Sequence, residues 1–309
     1  MGNRFTDDAN RPGITPYFEQ RDFPPPSATV RPVFGAHSQP GRFHAVNEDH
    51  YLVITIGRNQ ETVLTSLPDS VIGKRFDERG FAMVVADGLG NFGTGESASR
   101  IALVTLLHLI LNYCKWNLRV DDKIGQEILD RAERFYRHVD SAVVYDGNAR
   151  GLHQPQTTLT AVFGAGRDLF FAHVGHSRAY LFRQGSLMRL TRDHTVGSKG
   201  AKGKGLRLAP LVDVNATSRD LRHILTETIG MSGSTGPSID LERFQLSDGD
   251  RILVCTNGIT DMIDESVVAS VLESGESPDE QSRRLVGLAM EAGGDDDATA
   301  LVAEFRFEP

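Results

Sequence analysis

The chain has 309 residues, a formal net charge of −8, a charged fraction of 24% and a hydrophobic fraction of 39%. These values are typical of a globular protein with a sizeable core, and the acidic balance argues against general binding to nucleic acid or anionic membranes. The longest apolar run, residues 101–111, is shorter than the roughly 20 residues that a membrane span needs. Two cysteines in apolar surroundings, Cys114 and Cys255, and an N-terminus without a signal-peptide core predict a soluble cytoplasmic protein with buried free thiols.

The first half of the chain begins with a leader and continues as strands followed by helices. Residues 1–30 are polar and proline-rich, which predicts a flexible or polyproline-like leader before a single domain at residues 31–309. The segments DHYLVITIG and GFAMVVADG are typical of strands. Two long helices are predicted next, at TGESASRIALVTLLHLILNYCKW and at the amphipathic DDKIGQEILDRAERFYRHVDSAVV.

The second half of the chain begins with a run of predicted strands. The segments TTLTAVFGAG, DLFFAHVGHS, RAYLFRQG and SLMRLTRDHT predict four strands joined by short turns, and DLERFQLSDGDRILVCTNG predicts two more. Helices are predicted at ITDMIDESVVASVLES and at SPDEQSRRLVGLAMEAGG, where Ser277 and Glu280 form an N-terminal capping signature. DDATALVAEFRFE predicts a final strand. Runs of strands and pairs of helices indicate an α+β fold with antiparallel sheets covered by helices.

Acidic residues stand beside glycine or apolar strands at three places. Glu48 and Asp49 lie at the start of the first predicted strand, Asp87 ends the second, and Asp296 lies in an acidic triplet before the last. Carboxylates supply charge and oxygen to a hard cation, and a following glycine lets a backbone carbonyl approach it. Any one of these places alone is typical of a solvated turn, but the three together predict a metal site.

With these segments the sequence resembles the metal-dependent protein phosphatase family (PPM, type 2C) in its bacterial form. The matching segments cover about residues 33–307 in the order NEDHYLV, VVADGLGNFGTGESAS, TTLTAVF, VGHSRAYLFRQGSLMRLTRDHT, LTETIG, LSDGDRILVCTNGITDMI and GGDDDATALVAEF. Seven motifs in order are more specific than any one short pattern. The family fold is an α-β-β-α sandwich of two antiparallel sheets flanked by helix pairs, in agreement with the fold class predicted above.

The resemblance implies a role for each matching residue. Asp87 would bridge two Mn²⁺ or Mg²⁺ ions, and Asp296 would hold the first of them, so these two are the expected catalytic residues. The carbonyl of Gly88 and the carboxylate of Glu48, with Asp49 beside it, would serve the second ion. The implied reaction is hydrolysis of phospho-Ser or phospho-Thr through a metal-activated water. The expected partner is a phosphorylated protein, such as a Ser/Thr kinase or its targets, and the chain is expected to be a monomer.

Two positions depart from the family pattern at the metals. The family's G-D-S-R is GHSR here, with His176, and its S-D-G is TNG, with Asn257. An asparagine can ligate through its amide oxygen but brings no charge, while imidazole prefers softer metals or can occupy such a position as a cation. We therefore expect two ions, the first held less tightly, and leave open a third ion at the position altered by His176 and Asn257.

Basic residues outside the metal motifs are candidates for binding the phosphate. The glycine-rich segment at 196–223 corresponds to the family's flap and contains Lys202 and Lys204, which fit either a substrate contact or a solvated loop. His44 stands where the family often has an arginine, and it fits either a phosphate contact when protonated or an ordinary surface histidine.

Two functions stay open from the sequence. The retained acidic ligands favour a Ser/Thr phosphatase. The paired substitutions at His176 and Asn257 favour a pseudophosphatase, meaning a catalytically weak or inactive relative that binds phosphoproteins or regulates a partner.

The additional acid at Asp297 predicts partial compensation for the charge that Asn257 lacks. The family pattern D-N-x-T is DDAT here, so a second carboxylate stands next to Asp296. We expect Asp297→Asn to lower the affinity for Mn²⁺ about tenfold or more, measured by isothermal titration calorimetry. An unchanged affinity would contradict this prediction.

Overall fold

The computed structural model describes residues 30–68, 75–90, 93–115, 120–152, 154–198, 223–231 and 236–307. The predicted leader up to residue 29, and most of the basic segment with Lys202 and Lys204, lie outside these ranges.

The described elements follow one another in chain order as strands, a helix pair, more strands, three helices and a last strand. Their bounds are β1 Val30–Gln39, β2 Asp49–Glu61, β3 Arg75–Leu89, α1 Thr94–Tyr113, α2 Asp122–Arg150, β4 Gln156–Thr157, β5 Leu159–Ala165, β6 Asp168–Val174, β7 Arg178–Arg183, β8 Ser186–Arg189, β9 Asp240–Gln245, β10 Arg251–Cys255, α3 Asn257–Thr260, α4 Glu265–Glu273, α5 Pro278–Glu291 and β11 Ala298–Phe307.

These strands form two antiparallel sheets. The first has the order β1-β11-β10-β7-β8, and the second has the order β2-β3-β5-β6-β9, with β4 paired to β3. Apolar side chains of the two sheets, including Phe81, Met83, Val254 and Phe305, meet in a core between them. The predicted α+β class is therefore confirmed in its two-sheet form.

Helices cover both outer faces of the sheet pair. Helices α1 and α2 contribute Leu106, Phe135 and Val139 to a core against the second sheet. Helices α4 and α5 pack Val268 and Leu285 against the first sheet. The result is the predicted α-β-β-α sandwich. Among the helices of the described ranges, none combines the length and apolarity that crossing a membrane requires.

Strand β1 is a feature that the sequence pattern did not predict. It begins at Val30, the first residue that the structure describes. Its proline, Pro32, is unusual in a strand, but β1 lies at the edge of its sheet and, among the described strands, pairs only with β11. Proline lacks a backbone N–H, so an edge strand tolerates it where a central strand does not.

The helix predicted over residues 259–274 is divided into two. The short α3 begins at Asn257, and α4 begins after Asp264, whose extended backbone interrupts the helix. By contrast, the capping box predicted at Ser277 and Glu280 is confirmed, since the Ser277 side chain accepts from the backbone N–H of Glu280 and the Glu280 carboxylate accepts from that of Ser277.

Both cysteines are unpaired, as predicted, but their burial differs. Cys255 is buried in β10, whereas Cys114 is only partly buried where α1 ends. The prediction of two buried thiols is therefore wrong for Cys114. The apolar run that suggested its burial belongs to a helix with one face exposed.

The approach of α1 to β3 brings the glycine after Asp87 against the start of that helix. A Cβ built on Gly95 would lie 2.7 Å from the carbonyl carbon of Gly88 and 2.8 Å from the backbone nitrogen of Leu89. Real Cβ atoms do not come that close to backbone, so glycine is required at this position for the two elements to pack as they do.

We expect Gly95→Ala to lower the free energy of unfolding by about 1–3 kcal/mol, because the backbone around Gly88 must move. Gly287→Ala in α5 is the matched control. Nothing lies within 4 Å of its Cβ position, so it should be neutral or up to about 1 kcal/mol more stable through helix propensity. Urea unfolding measures both variants. Equal stabilities would contradict the prediction.

Candidate metal centre

Two buried aspartates face each other at the ends of neighbouring strands. Asp49 begins β2 and Asp87 lies near the end of β3, and the strand register places them directly opposite each other. Each is only 6% exposed. Oδ2 of Asp49 accepts hydrogen bonds from the hydroxyls of Thr256 at 2.8 Å and Thr299 at 2.7 Å. Oδ2 of Asp87 is buried and has no hydrogen-bond partner among the described residues.

This crowding makes the charged forms of both carboxyls costly. Burial raises the pKa of Asp87 well above its usual range, and the charge of Asp49 raises it further. Burial also raises the pKa of Asp49, although the hydrogen bonds from Thr299 and Thr256 act in the opposite direction. A bound cation would offset both the desolvation and the mutual repulsion.

Glu48 lies beside the backbone of Gly88. The backbone carbonyl of Glu48 accepts from the N–H of Gly88 at 3.2 Å and from the hydroxyl of Ser99 at 2.6 Å. Its carboxylate lies against Gly95, as does the Gly88 carbonyl carbon, so the two candidate ligands share one side of the site. Burial raises the pKa of Glu48, and the charge of Asp297 adds to the increase.

Asp297 connects the end of the last loop to the loop that carries Glu48. Its Oδ1 accepts from the backbone N–H of Gly41 at 2.8 Å and lies 2.9 Å from Nδ1 of His44, and its Oδ2 accepts from the N–H of Glu48 at 2.6 Å. Asp297 thus holds the 41–48 loop in place. This role is absent from the sequence motif, and it adds a second reason for Asp297→Asn to weaken metal binding.

His44 is held at the site by its contact with Asp297. Its Nδ1 is 3.9 Å from Oδ1 of Asp296, and one ligand-capable atom from each of His44, Asp296 and Asp297 fits within 4.8 Å. The His44 side chain is 37% exposed, so it borders the open side of the centre.

Asn257 lies between two carboxylates and donates a hydrogen bond to each. Its amide Nδ2 donates to Oδ2 of Asp296 at 3.1 Å and to Oδ2 of Asp261 at 3.2 Å. Asp296 also accepts from the backbone N–H of Asp297 at 2.8 Å. An aspartate at position 257 could not donate to either neighbour unless it was protonated. Asp261 was not recognised from the sequence, although its spacing of four residues from Asn257 at the start of α3 was an available signal.

His176 reaches into the site from the loop between β6 and β7. It is 7% exposed, and its Nδ1 lies 3.7 Å from Oδ2 of Asp87. Burial lowers the pKa of His176 despite the opposing charges of Asp261 and Asp193, which favours the neutral ring.

The donor set fits a divalent cation. Three buried side-chain atoms that can ligate a metal, Oδ2 of Asp87, Oδ1 of Asn257 and Nδ1 of His176, lack a hydrogen-bond partner in the described part of the chain. Buried polar atoms are seldom left in that state, and an ion would satisfy them. The structure also places Glu48, Asp49, Gly88, Asp296 and His44 around them.

The basic segment leaves and rejoins the described chain beside this centre. Thr195 pairs with Leu225, and the N–H of Val196 donates to the carbonyl of Ile224 at 2.9 Å. His223, at the returning end, has its Nδ1 3.6 Å from Oδ2 of Asp261. The predicted flap therefore has both of its ends near the site, while Lys202 and Lys204 lie outside the described residues.

A family model for protein phosphatase 2C matches residues 56–286, so the chain belongs to the protein phosphatase 2C family. The match runs from the middle of β2 into α5 and leaves out β1 and β11. It ends before Asp296 and begins after Glu48, so these two residues are assigned to the site by position in the fold.

Curated relatives carry phosphatase names. The chain is 30% identical over 226 residues to the serine/threonine protein phosphatase PstP of Mycobacterium tuberculosis, a match covering 72% of this chain and 40% of that protein. It therefore spans well under half the length of PstP. It is 27% identical over 223 residues to the serine/threonine phosphatase stp of Listeria welshimeri, with 72% of this chain and 83% of that protein covered.

Solved structures share the fold. The catalytic domain of PstP in complex with two manganese ions is 25% identical, with a TM-score of 0.64 over 90% of this chain and 100% of that chain. The Mycobacterium tuberculosis phosphatase PstP/Ppp is 26% identical, with a TM-score of 0.65 over 89% of this chain and 99% of that chain.

The raised pKa of Asp87 gives the metal-free protein a defined dependence on pH. Because the folded-state pKa lies above the ordinary value of 3.8, ionisation of Asp87 costs stability progressively as the pH rises from that value through the raised pKa. In EDTA, Asp87→Asn should therefore become more stable than the wild type as the pH rises. At a pH above both pKa values, the gain should be about 1.4 kcal/mol for each unit by which the pKa of Asp87 in the folded state exceeds its pKa in the unfolded state.

Urea unfolding in EDTA between about pH 4 and 8 measures this difference. Asp130→Asn, which removes one carboxylate from the exposed surface of α2, is the matched control. Mn²⁺ should stabilise the wild type and the control but not Asp87→Asn. A wild type that gains stability over Asp87→Asn as the pH rises would sink the prediction.

Proposed function

We propose that this chain is a protein serine/threonine phosphatase that hydrolyses phospho-Ser and phospho-Thr at a divalent-metal centre. The observation that carries the proposal is the buried, unpartnered Oδ2 of Asp87 among four other acidic side chains at the junction of the two sheets. The phosphatase names of the relatives support the reaction class, and the manganese in the PstP catalytic domain supports Mn²⁺ as the ion, with Mg²⁺ as the other candidate.

The metal ligands follow from the donor set. Asp87 would bind both of two ions, Asp296 and the amide oxygen of Asn257 would serve one, and Glu48 with the Gly88 carbonyl would serve the other. When bound, the ions supply an activated water and neutralise the charge on the phosphoryl group. Asp49, held by two threonine hydroxyls, would place a second carboxyl group opposite Asp87.

His44 is the proposed phosphate contact on the open side. Asp297 accepts a hydrogen bond from Nδ1, which fixes the ring and leaves Nε2 as the atom that can reach a substrate oxygen. The protonated ring would donate from Nε2 to the phosphoryl group. Lys202 and Lys204 would add positive charge from the flap, whose ends lie beside the centre.

The cellular setting is part of the same proposal. A phosphorylated protein, such as a Ser/Thr kinase or one of its targets, would be the substrate of a monomeric domain at residues 31–309. Two unpaired cysteines fit a reducing compartment, which supports action in the cytoplasm.

A pseudophosphatase is the second candidate, and the contacts of Asn257 favour it. Its amide already satisfies Asp296 and Asp261, so part of the site is stabilised without an ion. Such a protein would keep the anionic pocket for binding or regulation and would hydrolyse phosphate slowly or not at all.

Hydrolysis of a phosphothreonine peptide with Mn²⁺ separates the two candidates. We expect a wild-type activity that falls at least about a hundredfold in Asp87→Asn, because the central ligand is lost. Asp130→Asn should keep the wild-type rate. The double variant His176→Asp/Asn257→Asp should change the rate of an existing activity rather than create one.

The opposite pattern would favour the pseudophosphatase. In that case the wild type shows no hydrolysis above the Asp87→Asn background, and the double variant gains activity. Circular dichroism of each variant establishes that it is folded before its rate is interpreted.

A further inference from the structure

The position of His176 points to a role that the phosphatase reaction does not itself require. Its side chain is more than nine-tenths buried, and Nδ1 faces Oδ2 of Asp87 at 3.7 Å. Neither atom has a hydrogen-bond partner among the residues that the structure describes. A buried nitrogen and a buried carboxylate oxygen therefore lie side by side without being satisfied.

The distance between these atoms is too long for a direct hydrogen bond and is compatible with two ligands of one ion. A hydrogen-bonded ion pair would bring the nitrogen and the oxygen to about 2.7–2.9 Å. Two ligands of one ion, each about 2.1 Å from it, lie about 3.0–4.2 Å apart depending on the angle between them. The observed 3.7 Å lies in the second range and outside the first.

Asn257 offers a further unpartnered donor at the centre. The unpartnered Oδ1 of Asn257 is a neutral ligand that binds without adding charge, and it too is buried. An imidazole nitrogen combined with an amide oxygen and one carboxylate is a mixed set that suits first-row transition ions. Mg²⁺ prefers oxygen ligands alone and keeps more of its water.

We propose that Nδ1 of His176 and Oδ2 of Asp87 bind the same divalent ion, and that this nitrogen ligand makes the centre select first-row transition ions over Mg²⁺. The inference rests on the metal centre of the proposed function but not on catalysis. In this proposal His176 is a ligand that determines which metal binds. In the alternative, a protonated His176 ring occupies the place of a metal ion and excludes an ion from that position.

Pulsed electron paramagnetic resonance of the untagged full chain tests the ligand directly. With less than one equivalent of Mn²⁺, the wild type should show the ¹⁴N coupling of a directly bound imidazole. His176→Asp keeps a ligand at the position but removes the nitrogen, so the coupling should disappear while Mn²⁺ stays bound. His138→Asp, on the exposed face of α2, is the matched control and should retain the coupling.

His44 is a second histidine at the centre, and His44→Gln tests whether it is the source of the coupling. Coupling that survives in His176→Asp and is lost in His44→Gln overturns the proposal. The absence of nitrogen coupling in the Mn²⁺-loaded wild type, or the absence of Mn²⁺ binding, overturns it as well.

Calorimetric titrations with Co²⁺ and Mg²⁺ test the selectivity. The ratio of the Co²⁺ to the Mg²⁺ affinity should fall at least about tenfold in His176→Asp and stay unchanged in His138→Asp. An unchanged ratio in His176→Asp overturns the proposal. These measurements use no phosphorylated substrate, so they are independent of catalysis. Nitrogen ligation without hydrolysis would refute only the proposed phosphatase activity. Hydrolysis without nitrogen ligation would refute only this inference.

Discussion

The centre depends on one electrostatic constraint, the placement of two buried carboxyl groups opposite each other. The register of β2 and β3 puts Asp49 across from Asp87, and burial together with like charge raises the pKa of both. Desolvated like charges that face each other are unfavourable unless a cation or a proton lies between them. The two carboxyl groups therefore lower the stability of the cation-free fold, and cation binding would remove this destabilisation. Such a loss of stability is common where a protein forms a binding site.

Hydrogen bonds between the two sheets hold the residues of the candidate metal site in position. Thr256 and Thr299 belong to the first sheet and its loop, yet their hydroxyls donate to Asp49 of the second sheet. Asp297, also from the first sheet's side, holds the loop that carries Glu48. Binding of an ion would consequently be coupled to the packing of the two sheets, because ligands from both must be held in position at once.

The two departures from the family pattern have different physical consequences. At Asn257 an amide donor takes the place of a carboxylate and connects Asp296 with Asp261, which lowers the negative charge of one side of the centre. At His176 a nitrogen is placed beside Asp87, where it can contribute to a metal without contributing charge. Both changes reduce the net negative charge that a bound ion would meet, so affinity would depend more on ligand type than on Coulomb attraction.

The sequence by itself determined the fold class, the order of nearly all elements and the acidic positions at strand ends, because periodicity and capping are local properties of the chain. Local patterns failed at β1, where an edge position makes Pro32 acceptable, and at the break after α3. Only the tertiary structure decided that Asp297 anchors the Glu48 loop and that His176 faces Asp87. Those relations join residues far apart in the chain, and their distances follow from how two sheets pack rather than from any spacing within a motif.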